Sequence, residues 1–318
     1  MKPFLKPFVY CKISVAVLVL KGGVQVDIIL YLFLGIGIGV LSGFFGIGGG
    51  FILTPVLLLM NFSPVIAIAT SLMYTIATSL SGVFAHFRLQ NIQWKTAFII
   101  GISGVIATQA AFPFVLFLEK FQIEDTIIPL FYILLIVYFS YSLLRTVAPT
   151  TSFPSFEKDF KLYKAIVIGL FAGIVSTTLG VGGGFIIVPL LITILSFHSR
   201  NAVGTSLLSV LMIVSAGFAT YASTTPIDFK VTGSLIIGAL IGGQIGAIFT
   251  EGFNDKQIRH YLGTLYAITG VSLLLKLFNI GFIGLSLLLA YCIFLLVILS
   301  VRTVQFKIKQ HEAKLVSK

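Results

Sequence analysis

Residues 35–59 read GIGIGVLSGFFGIGGGFILTPVLLL, and residues 169–192 read GLFAGIVSTTLGVGGGFIIVPLLI. We call these stretches the two glycine segments. They agree at a constant separation of 134 residues, which carries Gly35 onto Gly169. This repetition predicts that the chain is an internal duplication. Because repeats joined around Gly- and Pro-interrupted apolar segments are the usual build of membrane transporters, the same stretches indicate where a substrate would bind.

The correspondence continues downstream of the glycine segments, where one inserted residue before Arg200 changes the separation to 135. Because the agreement runs through four predicted elements, it supports a duplication more strongly than the glycine run alone does. The matched residues are Ala67, Thr70, Ser71, Leu72, Gly82, Ile92, Lys95, Gln109 and Leu130 with Ala202, Thr205, Ser206, Leu207, Gly217, Ile227, Lys230, Gln244 and Leu265.

Composition places the chain in a lipid bilayer. Hydrophobic residues make up 58% and charged residues 10%, against roughly 45–50% and about 25% in soluble domains. Stretches such as 28–85 and 165–197 contain no Asp, Glu, Lys, Arg or His, and a spanning helix needs about 20 apolar residues. Since strand alternation is missing, we expect an all-α integral membrane protein, a helical bundle of about 8–10 transmembrane segments.

The predicted organisation has five parts. The linker is marked by two prolines and by clustered Ser, Thr and charged residues. The N-terminal part lacks the small-x-small cleavage site of a signal peptide, so we expect an uncleaved interfacial helix or a poor additional span. The parts are an N-terminal basic and apolar segment at 1–27, a first transmembrane repeat at 28–147, a linker at 148–162, a second transmembrane repeat at 163–277, and an extra transmembrane helix with a basic tail at 278–318.

Residues 28–60 are too long for one straight helix, because they would reach about 50 Å against a hydrocarbon core of about 30 Å. We expect a break at Gly46 to Gly50, followed in each repeat by a re-entrant half-helix, since glycine has the lowest helix propensity apart from proline. Non-helical backbone at that depth is tolerated only inside protein or beside a polar cavity. For Gly35 and Gly39, four residues apart, we expect close helix packing instead.

Three consecutive glycines leave the first N–H groups of the next helix without intrahelical partners. Such N–H groups form an anion site, because the donors and the helix dipole point the same way. Hydroxyls that open the following helix could donate to the same anion or bond back to the preceding turn. Two glutamines inside apolar spans could contact substrate or join helices. The candidate substrate-binding residues are Gly48, Gly49, Gly50, Thr70, Ser71, Gln109, Gly182, Gly183, Gly184, Thr205, Ser206 and Gln244.

Other classes of function find little support. No predicted span interior holds the Asp, Glu or His of a proton relay, no Walker lysine follows the glycines, and no catalytic triad is apparent, so we do not expect an enzyme. Cys11 and Cys292 lack CxxC spacing, and we expect no metal or cofactor. The net charge of +11 lies in connectors and the tail, which fits topology and lipid headgroups rather than nucleic acid. Any coupling would use residues at span ends, such as His86, Asp228, Glu251 or His260.

The repeated SGFFGIGGGFILTP and STTLGVGGGFIIVP, each followed by AIATSL or AVGTSL and then by NIQWK or PIDFK, resemble the TauE/SafE sulfite-exporter family. The resemblance covers about 28–277. It implies a multi-pass permease with two homologous halves that moves small anions, such as sulfite, sulfoacetate or other organosulfonates, across a bacterial cytoplasmic membrane. The family's motif positions fall on Gly46, Gly48, Gly49, Gly50, Pro55, Thr70 and Ser71, and on Gly180, Gly182, Gly183, Gly184, Pro189, Thr205 and Ser206.

These observations together lead to the hypothesis of a secondary transporter for small sulfur-containing oxyanions. The anion would bind between the two glycine breaks, and alternating access would come from rocking of one half against the other. Two alternatives stay open at this point, a membrane-embedded scaffold or assembly factor and an anion channel. The sequence is also compatible with either parallel or inverted repeats, and with any oligomeric state.

Overall fold

The computed structural model describes residues 24–121, 124–145, 162–222 and 229–316, and these residues form eleven α-helices and one short 3-10 helix. The all-α prediction is confirmed for this part of the chain. Most of the predicted N-terminal segment and of the predicted linker lies outside the described residues. The helices are α1 Val24–Phe45, α2 Gly50–Leu59, α3 Pro64–Arg88, α4 Trp94–Lys120, α5 Glu124–Arg145, α6 Leu162–Leu179, α7 Gly184–Ile194, α8 Ser199–Tyr221, α9 Phe229–Phe249, α10 Asp255–Leu277 and α11 Gly281–Val316, with the 3-10 helix at Thr250–Gly252.

Seven segments of the described residues are long and apolar enough to cross a membrane. They lie on α3, α4, α5, α6, α8, α9 and α11. The sequence-based count was larger because it included α1 and α10. The apolar part of α1, Ile29–Phe45, is shorter than these segments, and α10 carries charged residues in its first two turns and Lys276 in its last. The seven segments are Pro64–Arg88, Trp94–Pro113, Ile127–Arg145, Leu162–Leu179, Ser199–Tyr221, Lys230–Gly252 and Gly281–Ile308.

Both glycine segments interrupt a helix where the sequence predicts a break. In the first, α1 ends at Phe45 and α2 begins at Gly50; in the second, α6 ends at Leu179 and α7 begins at Gly184. Between these ends, five glycines adopt the left-handed backbone conformation that other residues rarely tolerate. They are Gly46 with φ +68°, Gly48 with φ +72°, Gly180 with φ +69°, Gly182 with φ +80° and Gly183 with φ +73°.

Glycines also set the packing of the long helices. α1 runs along α9, and α6 runs along α4. A Cβ atom built on Gly35 would lie 2.5 Å from the Leu235 carbonyl oxygen, and one on Gly39 would lie 3.1 Å from the Cα of Ala239. The structure therefore confirms the predicted packing role of these two glycines, since only a missing side chain allows so close an approach.

A buried aromatic cluster holds the first turns of α2 and α7 together. It consists of Phe51, Phe185, Tyr132 and Tyr266, with ring centroids 5.6 Å apart for the two phenylalanines and 4.6 Å apart for Phe51 and Tyr266. The Tyr132 hydroxyl donates to the Phe51 carbonyl at 2.6 Å. In the same way, the Tyr266 hydroxyl donates to the Phe185 carbonyl at 2.8 Å.

These two hydrogen bonds satisfy carbonyl groups that a proline in the same helix leaves without a donor. A proline inside a helix has no N–H, so the carbonyl four residues before it loses its intrahelical donor. Pro55 lies inside α2 and Pro189 inside α7, and the carbonyls left without a donor are those of Phe51 and Phe185. The tyrosines on α5 and α10 supply the missing donors, which ties each short helix to a neighbouring long one.

We expect Tyr132→Phe to lower the stability of the folded protein by about 1–2 kcal/mol, because it leaves the buried Phe51 carbonyl unpaired. The measurement is thermal unfolding of the purified protein in detergent, followed by circular dichroism. Tyr138→Phe is the matched control, since Tyr138 lies on the same helix and is 61% exposed. Equal melting temperatures for the two variants would contradict the proposed role of the hydroxyl.

The contact between α1 and α9 leads to a second prediction. A Cβ atom on Gly246 would overlap the Val40 carbonyl oxygen, so Gly246→Ala should push the two helices apart at a cost of about 1–3 kcal/mol. Gly233→Ala on the same helix meets nothing within 4 Å and should leave the melting temperature unchanged or raised, since alanine favours a helix. A melting temperature for Gly246→Ala as high as that for Gly233→Ala would contradict this account of the packing.

Candidate functional site

The two glycine breaks lie directly against each other, and all ten residues at 46–50 and 180–184 are buried. A Cβ atom built on Gly50 would lie 2.6 Å from the Gly180 carbonyl oxygen, and one on Gly184 would overlap the carbonyl of Ile47. The Thr54 hydroxyl donates to the same Gly180 carbonyl at 3.2 Å. The structure therefore brings the predicted triplets Gly48 to Gly50 and Gly182 to Gly184 together.

Four residues form the centre of this contact, and we call them the glycine junction: Gly48, Gly182, Thr75 and Val210. Cβ positions built on the two glycines lie 2.8 and 2.7 Å from the same methyl group, Thr75 Cγ2. Both positions also lie 3.2 Å from Val210 Cγ1. Thr75 comes from α3 and Val210 from α8, so four different parts of the chain converge at this point.

The first turn of α2 finds its acceptors on α3. The Gly49 N–H donates to Thr78 Oγ1 at 3.1 Å, and the Gly50 N–H donates to Thr75 Oγ1 at 2.8 Å. Both hydroxyls in turn donate to carbonyls of their own helix, Thr75 to Ser71 and Thr78 to Thr75. These threonines are therefore engaged both as acceptors and as donors.

The first turn of α7 faces a different surface. At a separation of 135 residues from Thr75 and Thr78, α8 carries Val210 and Ile213, which offer no acceptor. Among the described residues, the N–H groups of Gly183 and Gly184 have no hydrogen-bond acceptor. The backbone differs as well, because Gly49 is right-handed with φ −63° and Gly183 is left-handed with φ +73°.

Several buried hydroxyls around the breaks are unpaired. A buried hydroxyl without a partner costs free energy, so it calls for an explanation such as a ligand or a water. Two of the predicted site residues, Ser71 and Ser206, belong to this group, and the Oγ of Ser79 lies 3.9 Å from a Cβ position on Gly48. Within the described part of the chain the unpaired hydroxyls are those of Ser42, Ser71, Ser79, Ser176, Thr177, Ser206 and Thr232.

The other predicted site residues have different surroundings. Thr205 Oγ1 accepts the Gln93 N–H at 3.0 Å, at the start of α4, and Thr70 is buried. The side chains of Gln109 and Gln244 are exposed, unlike the buried junction. The Gln109 side-chain amide donates to the Thr220 hydroxyl of α8 at 3.4 Å. This contact joins two helices, which is the alternative to substrate binding for this residue.

The most informative residues at the site did not figure among the predicted ones. Thr75, Thr78 and Ser79 follow Ser71 at spacings of four, seven and eight residues, which places all four on one face of α3. This polar stripe on an apolar span was the signal that could have revealed them. Tyr132 and Tyr266 are separated by the same 134 residues as the glycine segments, but a tyrosine alone in an apolar run does not reveal its acceptor.

A buried histidine on α3, His86, contacts the helix that precedes the first break. Its Nε2–H donates to the Gly43 carbonyl of α1 at 3.2 Å, and its Nδ1 accepts from the Asn91 amide at 3.2 Å. Of the other span-end residues considered for coupling, Glu251 and His260 are exposed, and Asp228 lies outside the described residues. No group of three or more His, Cys, Asp or Glu side chains in the described ranges is placed to hold a metal ion.

Comparison with known proteins extends this picture. The family model described as sulfite exporter TauE/SafE matches residues 31–273. The probable membrane transporter protein YdhB of Bacillus subtilis is 28% identical over 239 residues, which cover 74% of this chain and 96% of that protein. No solved structure matches the chain.

Two further relatives carry the same description. The probable membrane transporter protein YjnA of Bacillus subtilis is 26% identical over 243 residues, covering 74% of this chain and 95% of that protein. The probable membrane transporter protein MJ0441 of Methanocaldococcus jannaschii is 24% identical over 253 residues, covering 74% and 91%. The family model spans most of the chain, and the resemblance drawn from the motifs is confirmed. The chain belongs to the sulfite exporter TauE/SafE family of multi-pass membrane transporters, and it is not an enzyme.

Proposed function

We propose that this protein is a secondary transporter of small sulfur-containing oxyanions, such as sulfite or organosulfonates, and that the anion binds where the two glycine breaks meet. The observation that carries this proposal is the convergence of two helix N-termini, those of α2 and α7, in one buried place. The glycine junction itself carries no formal charge. An anion there would be held by N–H donors and helix dipoles, which suffice for oxyanions elsewhere.

The chemistry of the surrounding side chains supports an oxyanion as the ligand. A sulfonate or sulfite group presents several acceptor oxygens on one small centre, and each oxygen needs a donor once water is removed. The unpaired hydroxyls of Ser71 and Ser206 could provide such donors. At the far end of α2, Lys276 Nζ donates to the Leu58 carbonyl at 2.6 Å, so a cation stabilises the negative end of a helix whose positive end faces the site.

We further propose two homologous repeats, 28–147 and 163–277, each with a break and a re-entrant half-helix. The paired hydrogen bonds from Tyr132 and Tyr266 to carbonyls at matching positions support this proposal. So does the reciprocal packing, in which α1 lies on α9 and α6 lies on α4. The partners in each pair come from different repeats.

This reciprocal packing bears on how access would alternate. Because glycine contacts join α1 tightly to α9 and α6 tightly to α4, sliding the first repeat rigidly past the second would disrupt both pairs. We therefore propose that the moving units are two mixed bundles, one of α1, α3 and α9 and one of α4, α6 and α8. They meet where α3 packs on α8, which is the level of the glycine junction.

The direct test is uptake of radiolabelled sulfite and radiolabelled sulfoacetate into proteoliposomes that contain the purified protein. We expect uptake well above that of protein-free liposomes, and we expect the rate to saturate with substrate concentration, because a carrier binds before it moves. Rates that rise linearly without saturation would favour a channel. Folded protein that moves neither anion would contradict the proposal and favour a scaffold.

Gly182→Ala should reduce uptake at least about tenfold, since it places a side chain 2.7 Å from the Thr75 methyl group at a φ of +80°, where an L residue costs roughly 1–2 kcal/mol. Gly233→Ala, with open space around it, is the matched control and should transport like the wild type. Size-exclusion elution in detergent separates loss of folding from loss of transport. Wild-type uptake by folded Gly182→Ala protein would place the anion elsewhere.

A further inference from the structure

The two breaks that meet at the glycine junction are chemically unequal. The face of α3 toward the first break is polar, with hydroxyls at three positions, whereas α8 is apolar at the three positions that lie 135 residues later. The polar residues are Thr75, Thr78 and Ser79, and their apolar counterparts are Val210, Ile213 and Val214.

The donors of the first break are already used. The N–H groups of Gly49 and Gly50 donate to Thr78 and Thr75. An anion that approached the N-terminus of α2 would have to displace two buried hydrogen bonds, and the displaced threonine oxygens would then lie against its negative charge. The first break is therefore a poor place for an anion.

The second break keeps its donors available. The N–H groups of Gly183 and Gly184 lie at the N-terminus of α7, an eleven-residue helix, and have no hydrogen-bond acceptor among the described residues. Val210 Cγ1 and Val214 Cγ1 lie 3.2 and 3.1 Å from the Cβ position of Gly182, so α8 presents methyl groups, and no hydroxyls, to the second break at Gly182.

A second observation points to a ligand at the same place. Ser79 is 0% exposed, its Oγ has no hydrogen-bond partner, and this atom lies 3.9 Å from the Cβ position of Gly48 in the glycine junction. Thr78 already donates to the Thr75 carbonyl, the acceptor that Ser79 would otherwise use for a back-bond to its own helix. Its hydroxyl is left to donate toward the junction.

We propose that the anion is bound asymmetrically, by the N–H groups of Gly183 and Gly184 together with the hydroxyl of Ser79, while Thr75 and Thr78 keep the first break closed. This assignment rests on the proposed function and narrows its site from two equivalent breaks to one. It also gives α2 and α7 different roles. The N-terminus of α2 supports the site, and the N-terminus of α7 binds the ligand.

Ser79→Ala tests the hydroxyl. The KM for radiolabelled sulfite and for radiolabelled sulfoacetate should rise about tenfold in proteoliposomes, the usual effect of losing one hydrogen bond to a charged group. The melting temperature should stay level or rise, because the variant removes an unpaired buried hydroxyl. Ser209→Ala is the control: its hydroxyl donates to the Ala97 carbonyl at 3.0 Å, so this variant should lower the melting temperature and leave the KM unchanged.

Ile213→Thr tests the N–H groups. It places a threonine where the second break lacks one, in the position that Thr78 occupies at the first, and the new hydroxyl should accept the Gly183 N–H. We expect about a tenfold rise in KM, in competition with the anion. Ala219→Thr, on the exposed face of the same helix, adds the same side chain away from the junction and should transport like the wild type.

The outcomes separate this assignment from the proposed function. A wild-type protein that transports, with a KM within twofold of its own value in both Ser79→Ala and Ile213→Thr, would overturn the asymmetric site and leave the proposed function intact. A folded wild-type protein that transports neither anion would overturn both. A raised KM in both variants with unchanged controls is the result that the assignment requires.

Discussion

Every backbone N–H and C=O exposed by a helix break inside an apolar bundle must find a partner, because lipid supplies none. The rest of this structure follows from that requirement. The glycines open the helix and the prolines at 55 and 189 each remove one more hydrogen bond, so two short helices enter the core with unmet donors and acceptors. Tyr132 and Tyr266 donate hydrogen bonds to the carbonyls of Phe51 and Phe185. Threonines of α3 accept hydrogen bonds from the N–H groups of the first break.

This requirement also explains why the surrounding helices are so rich in glycine. To bring an acceptor on α3 or a donor on α5 within hydrogen-bond distance of a short helix, the long helices must pack closely around it. Gly35 on α1 and Gly246 on α9 allow this approach, since neither leaves room for a Cβ atom, and a Cβ atom on Gly39 would make a tight contact at 3.1 Å. The resulting close packing joins α1 to α9 and α6 to α4, helices that lie far apart in the sequence.

The sequence predicted the breaks well and their partners poorly, for a physical reason. A run of glycines inside a charge-free stretch constrains the local backbone, so the interruptions at Gly46 and Gly180 were correctly placed. Which side chain pairs with an unsatisfied backbone group depends on helices far away in the chain, as Tyr132 shows for the Phe51 carbonyl. The sequence also does not reveal whether a polar residue in an apolar helix faces the interior or the outside. Gln109 and Gln244 are exposed, and the hydroxyl-bearing face of α3 was not predicted.

The same reasoning shows how two nearly identical glycine segments can come to differ in chemistry. The segments themselves share their glycines and proline, so their backbones offer similar groups. Besides the left-handed backbone of Gly183, what differs is the neighbouring long helix, which carries hydroxyls at Thr75 and Thr78 in α3 and aliphatic side chains at the matching Val210 and Ile213 in α8. A break whose N–H groups are satisfied within the protein is stable without ligand. A break faced by methyl groups holds unmet donors, and an anion that satisfies them gains free energy that water cannot readily supply in so buried a place.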